Sequence, residues 1–319
     1  MYTTLKKLLN VTALATGEAK INAIIKELIA PYCDEVYTDP IGNLICLKKG
    51  NGEDKKKIML AAHSDEHGFV ATYIENNGLI RFDTCGEPDL TSAAYGEIEF
   101  ENGVRGILIP EDTASLNVRR MHVDIGAKNA QEAEKKVRPG DFFAPVHRIS
   151  KHGTKVCGTA LDGRLACAAL IKTASLITNN KDDIYFAFTG RQTVGFKGAC
   201  AAVYNVCPHV AINVGICPEG GCKAGAGAAI KLKDAATVCD RELAFSLEDA
   251  AKAAKIPYQL EINTHTASEA VSLQTTGAGA AVGGISIPAK HLHTSAETAY
   301  LTDAENAVKI LCAYLGGNK

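Results

Sequence analysis

Apolar residues recur at two alternating periods along this chain, and the changes of period divide it into three stretches. In the first, two helical patterns occupy residues 3–33. The second of them places Ile21, Ile24, Ile25, Leu28 and Ile29 at helical spacing behind Thr16-Gly17-Glu18 and stops at Pro31, which predicts an amphipathic helix lying against a sheet. Residues 36–39 and 43–47 read as strands around the turn Pro40-Ile41-Gly42, followed by a solvated charged run over residues 48–57. The apolar run Ile58-Met59-Leu60-Ala61-Ala62 then stops abruptly in His63-Ser64-Asp65-Glu66-His67-Gly68. That pattern predicts a buried strand delivering polar chemistry at its end.

From residue 69 to 157 the pattern changes to short alternating segments rich in turns. Residues 97–107 alternate polar and apolar around Asn102-Gly103, a strong hairpin signal, and Asn77-Gly78 marks a second hairpin. Residues 129–134 read as a short capped helix and Pro139-Gly140-Asp141 as a turn. Beyond residue 157, helical patterns at 164–177, 197–203, 241–254, 268–276 and 304–315 alternate with strands at 184–189, 210–214, 258–262 and 284–288. The expected organisation is an α/β domain of residues 1–68 and 158–319, its central sheet covered on both faces, interrupted by a small β-rich domain of residues 69–157.

Composition narrows the classes. With 319 residues, 46% of them hydrophobic and 22% charged, the chain is ordinary for a soluble globular protein. A net charge of −2 argues against nucleic-acid or anionic-membrane partners. No membrane-length apolar run and no signal-peptide pattern occurs, so a cytoplasmic location is expected. The 11 cysteines are odd in number and scattered among core-like segments, which suits reduced thiols better than a disulfide framework.

The chemistry begins at His63. Asp65, two positions on, is placed to orient its imidazole. The same residues spell His-x-x-Glu-His, which on a helix would set His63 and His67 on one face as zinc ligands. The strand-like surroundings argue against that, and predict that the two rings point to opposite faces. Two further ionisable residues, Asp162 and His293, also follow extended segments, and two imidazoles with a carboxylate suit zinc or a similar divalent ion. Asp162 also reads as an ion-pair partner for Arg164.

Seven motifs in order then resemble the co-catalytic metallo-aminopeptidases of metallopeptidase family forty-two, the glutamyl and lysyl aminopeptidases and their tetrahedral-assembly relatives. They are Gly42-Asn43-Leu44-Ile45, Ala62-His63-Ser64-Asp65-Glu66-His67-Gly68-Phe69, Asp124-Ile125-Gly126-Ala127, Ala160-Leu161-Asp162-Gly163-Arg164, the segment at residues 188–195, Pro257-Tyr258-Gln259, and the segment at residues 285–295. The resemblance implies a three-layer α/β peptidase domain, an inserted β-barrel-like dimerisation domain, and homo-oligomers from dimer to dodecamer. It also implies two metal ions, zinc or another divalent metal such as cobalt or manganese, bridged by Asp162, with His63 on one and His293 on the other.

The chain departs from this family where the chemistry is done. The family's general base falls on Gln192, which cannot accept a proton near neutral pH, and its neighbouring ligand on Thr193, a neutral hydroxyl. A further Asp ligand falls on Gly215, which has no side chain. Three of five expected ligands remain, fewer than a catalytic zinc normally has on each ion. The expected function is therefore a catalytically impaired or inactive aminopeptidase homologue acting in peptide binding or assembly. The alternative is an active aminopeptidase with a rebuilt site, in which Glu66, His67, Cys217, Glu219 or Glu269 supplies the missing groups. A glycoside hydrolase with paired carboxylates, Asp65 and Glu66 or Asp162 and Glu269, is a third reading.

Overall fold

The computed structural model describes residues 1–114 and 116–316. Two helices, α1 (Tyr2–Leu8) and α2 (Ala19–Ile29), lead into strands β1 (Glu35–Thr38), β2 (Leu44–Lys48) and β3 (Lys57–His63). Strands β4 (Gly68–Ile74), β5 (Ile80–Cys85), β6 (Glu97–Phe100), β7 (Arg105–Pro110), β8 (Met121–Asp124) and β9 (Phe142–Pro145) follow, with short helices α3 (Leu90–Ala93) and α4 (Ala130–Glu134) among them. The chain then makes the hairpin β10 (Ile149–His152) and β11 (Lys155–Gly158), helix α5 (Leu161–Leu176), β12 (Asp183–Thr189), α6 (Lys197–Val206), β13 (Val210–Pro218) and β14 (Ala228–Lys233). It closes with α7 (Arg241–Ala253), β15 (Tyr258–Ile262), α8 (Ala270–Thr275), β16 (Ala281–Lys290), β17 (Glu297–Tyr300) and α9 (Leu301–Tyr314).

Eleven strands form one mixed sheet in the order β1-β2-β12-β3-β13-β16-β17-β11-β10, with β14 joining β16 to β15. At its centre β12, β3, β13 and β16 run parallel, so their carboxyl ends lie along one edge. The uninterrupted apolar character of β3 follows from burial on both faces. Leu60 and Ala62 join the core built by α1, α2, α5, α7 and α9, while Met59 and Ala61 join the core beneath α6 and α8. A sheet with helices on both faces is the expected three-layer arrangement.

The inserted segment closes into a six-stranded barrel, β4-β5-β8-β7-β6-β9. Phe69, Phe82, Phe100 and Phe143 pack at its centre, with Phe100 and Phe143 ring centroids 4.7 Å apart. The barrel strands run from Gly68 to Pro145. The hairpin of β10 and β11, placed by sequence inside the insertion, instead pairs with β17 at the edge of the large sheet, because Val156 is an apolar anchor for that core.

A buried ion network ties the two parts together. The Glu66 carboxylate accepts hydrogen bonds from Arg164 Nη2 (2.9 Å) and Ala13 N (2.8 Å), and its other oxygen meets His147, just beyond β9. Arg164 is fully buried and also donates to the carbonyl oxygens of Leu8 and Val11. Arg164 is thus the partner of Glu66 and not of Asp162. Burial would raise the Glu66 pKa, but the charges of His147 and Arg164 outweigh it and hold the carboxyl below its ordinary value.

A depressed folded-state pKa means that the stability from Glu66 is present above the ordinary glutamate value of about 4.3 and is lost as pH falls through the lower folded value. Arg164→Leu strands that buried carboxylate. Urea unfolding at pH 7 is expected to show a loss of about 3–5 kcal/mol, shrinking as the pH is lowered below about 4; an unchanged midpoint would remove the network from the account.

Candidate functional site

The carboxyl edge of the parallel strands carries the site. Register sets Thr189 at the end of β12 beside His63 at the end of β3. On the opposite wall the chain leaves β16 through His291 and His293, both with positive φ (56° and 64°), which turns the His293 side chain back toward the sheet. Asp162 sits in the first turn of α5, where the helix is broken: Ala160 has φ 51°, Asp162 has ψ 128° and Gly163 has φ 74°. Gly163 is required there, because a Cβ at that position would lie 2.6 Å from His63 Cε1.

Asp162 faces three imidazoles. Its Oδ1 lies 3.4 Å from His63 Nε2, and its Oδ2 lies 3.4 Å from His293 Nε2 and 3.9 Å from His67 Nε2. The pairing expected for His63, Asp162 and His293 is present in the geometry, with His63 and His293 on opposite oxygens of one carboxylate. Glu297, which sequence reasoning missed, holds them together. Its two oxygens accept the backbone N–H groups of His293 (2.7 Å) and Asp162 (2.9 Å). Its only sequence signal was a carboxylate four residues past His293. Burial, aided by the Asp162 charge, pushes the Glu297 carboxyl up to about 7.

The ring nitrogens distinguish the three histidines. His63 Nδ1 lies 3.1 Å from the Asp65 carbonyl oxygen, so Nδ1–H donates and Nε2 is the nitrogen presented to Asp162. Burial alone would lower the His63 pKa, but the hydrogen bond and charge of Asp162 hold the imidazolium up to about 9. His67 is the opposite case: its Nδ1 accepts from Glu87 N–H at 2.9 Å, which leaves the proton on Nε2. Burial and the neighbouring His293 lower its pKa to about 3, so the ring is neutral. His67, Asp162 and His293 lie close enough to form a three-ligand set by distance, with ligand atoms within 4.8 Å of one another. The His67 tautomer opposes that role, since Nε2 offers a hydrogen and not a lone pair.

Two expectations need correction here. His67 does not point away from His63; residues 64–67 leave the strand and bring its ring to within 3.9 Å of the His293 ring centroid, with Gly86 making room beside it. Asp65 orients His63 through its main-chain carbonyl, while its carboxylate is engaged elsewhere. That carboxylate accepts from the backbone N–H of Gln192 (3.1 Å) and Thr193 (3.0 Å) and from the Thr193 hydroxyl (2.9 Å), and its Oδ1 lies 3.8 Å from His63 Nδ1.

The remaining candidates separate clearly. Glu66 is consumed by Arg164 and His147. Cys217 is buried against Cys222 and Ala229, and that thiol contact together with burial pushes its pKa far up. Glu219 pairs with Lys290 (3.0 Å) and accepts from Ala224 N, away from Asp162. Glu269 is fully buried and does reach the cleft, where it accepts from Thr189 Oγ1 (2.6 Å) and Asn213 Nδ2 (3.2 Å); burial raises its pKa. A cavity of about 440 Å³ is lined by His63, His67, Asp162, Gln192, Gly215 and Glu269 among others. Glu87 also lines it, a carboxylate that the sequence offered only as part of a turn-rich segment.

Around Asp162 the donors are His63 on Oδ1 and His293 and His67 on Oδ2, and by distance His67, Asp162 and His293 are close enough to hold one divalent ion.

The sequence profile of the M42 glutamyl aminopeptidase family matches residues 42–310. The chain belongs to that family. A putative aminopeptidase of Acetivibrio thermocellus is 38% identical, covering 98% of this chain and 97% of its own length. An aminopeptidase structure from the archaeon Desulfurococcus kamchatkensis superposes with a TM-score of 0.94 at 26% identity, covering 98% of this chain and 93% of the other. The TET1 peptidase of Pyrococcus horikoshii, described as assembling into a tetrahedron or a large octahedral shell, superposes with a TM-score of 0.90 at 27% identity over 98% of both chains. Members of the family are metal-dependent peptidases.

Glu297→Ala removes the acceptor of two buried amides, at about 1–3 kcal/mol each. Denaturant unfolding should therefore show a loss of about 2–6 kcal/mol, whereas Thr193→Val, which leaves Asp65 with both backbone donors, should cost less than about 1.5 kcal/mol. Equal losses would show that Glu297 does not hold the site together.

Proposed function

We propose that this member of the glutamyl aminopeptidase family is catalytically impaired and uses the inherited cleft to bind peptides within a homo-oligomer. The observation that carries this reading is the fate of Asp65 and its neighbours. Gln192 and Thr193 turn their amides and the Thr193 hydroxyl onto the Asp65 carboxylate, so that loop contributes neither a base nor an anionic ligand. Glu66, Cys217 and Glu219 are engaged elsewhere, which removes three of the five candidate substitutes. Of the carboxylate pairs a glycosidase would use, Asp65 and Glu66 are each engaged by protein donors. The dodecameric and tetrahedral relatives support self-association, with the barrel as the dimerising part.

A second reading has one observation in its favour. The Glu87 carboxylate lines the cleft and acts on His293, and Glu269 lines the opposite wall, so an active site rebuilt around one of them has a proton acceptor within the cavity. The two readings separate in one assay. Chelator-treated protein is reloaded with zinc, cobalt or manganese and offered alanyl, glutamyl and lysyl p-nitroanilides. Loss of a general base alone is worth about 10²–10⁴-fold, so release indistinguishable from the Asp162→Ala variant is expected. Turnover that vanishes in Asp162→Ala and falls in Glu87→Gln or Glu269→Gln would establish the rebuilt enzyme instead.

A further inference from the structure

Two cysteines meet behind the cleft wall. Ile216 and Pro218, which line the cavity, flank Cys217 near the end of β13, and Cys217 is buried in a small apolar cluster with Cys222 and Ala229. The chain between the two thiols is a tight reversal. Glu219 bridges to Cys222, Gly220 takes φ 144°, and a Cβ on Gly221 would lie 2.7 Å from the Ile262 carbonyl oxygen, so both glycines are needed to bring Cys222 back beside β13. The loop is tied on either side. Glu219 pairs with Lys290 (3.0 Å) at the end of β16, the strand that leads to His293, and Lys223 N–H donates to Gln259 Oε1 (2.8 Å) on β15.

The two thiols are unequal. Cys222 is 6% exposed against 2% for Cys217, so it is the sulfur that a small reagent reaches first. The Cys217 S–H donates to the Cys222 sulfur, and that contact lowers the Cys222 pKa against the effect of burial, which favours the reactive thiolate there. We propose that Cys222 and Cys217 are a peroxide-oxidised, reversible disulfide site that fastens the rim of the cleft. The Cys222 sulfur attacks one oxygen of hydrogen peroxide: an S–O bond forms, the O–O bond breaks, and the released hydroxide leaves as water with the thiol's proton. The Cys217 sulfur then displaces hydroxide from the Cys222 sulfenic acid: the S–S bond forms, the S–O bond breaks, and the Cys217 proton leaves in a second water. The two thiols together lose one electron pair and the peroxide gains it. Because the side chains already touch in the reduced chain, the bond closes without a large backbone movement. A second thiol contact, Cys33 with Cys46, lies at the β1–β2 edge of the sheet, whose residues do not line the cleft. The assignment is independent of whether the cleft binds peptides or cleaves them.

The test exposes the full chain, freshly reduced, to a small excess of hydrogen peroxide, blocks the remaining thiols with N-ethylmaleimide in denaturant, cuts after Glu219 with a glutamate-specific protease and maps the cysteine peptides by mass spectrometry. A Cys217–Cys222 link that dithiothreitol undoes is expected, and amide hydrogen exchange at residues 219–224 is expected to slow by about 10-fold once it forms. Cys217→Ser should leave Cys222 as a sulfenic acid that dimedone captures, while Cys222→Ser should leave Cys217 a free thiol. If either variant fails to fold, mapping and exchange on the unaltered chain still decide. Recovery of Cys217 and Cys222 as free thiols when the exposed Cys207 is already oxidised, or recovery of either as a sulfinic acid, would overturn the site. Unchanged exchange after the link has formed would overturn the fastening of the rim, and dimedone capture at Cys217 in Cys222→Ser would overturn the order of attack.

Discussion

One carboxylate held between facing imidazoles is the constraint on which the site depends. Asp162 reaches its position only because α5 is broken at its first turn, because Gly163 leaves room for the His63 ring, and because Glu297 clamps the backbone of Asp162 and His293 together. A carboxylate this deeply placed is costly to bury without compensation. Burial would raise its pKa, but hydrogen bonds from His293 and His63 and their charge hold Asp162 well below the ordinary range. The His63 and His293 imidazoles are thus the positive partners of this carboxylate.

The Asp65 carboxylate is held by two backbone amides and a hydroxyl. Glu66, Arg164 and His147 form a second hydrogen-bonded network that joins the barrel to the α/β layers. Scaffold and chemistry are therefore held by different residues, and one can change while the other persists.

Much of this was legible in the sequence. The apolar run into His63 reads as a two-faced buried strand, the Asn-Gly turns mark the barrel hairpins, and the helix–strand alternation beyond residue 157 gives the covered sheet. His63, Asp162 and His293 were found because each follows an extended segment, as strand-end chemistry requires. What was not legible depends on turns and tautomers. Period-two reasoning sends His67 away from His63, but residues 64–67 are not strand, and the turn reverses the ring. Glu87 and Glu297 lie in turns or at a strand start, where a carboxylate carries no pattern that distinguishes a clamp from a solvated side chain. The hairpin at 149–158 has the alternation of the barrel strands and differs only in which core Val156 enters.

The most direct measurement of the central claim is the metal content of the cleft itself, read from an anomalous-difference map at the zinc edge on crystals soaked in zinc. The account predicts no more than one peak, weakly occupied, against Asp162. Two strong peaks about 3.5–4 Å apart, each fully coordinated by protein side chains, would contradict it.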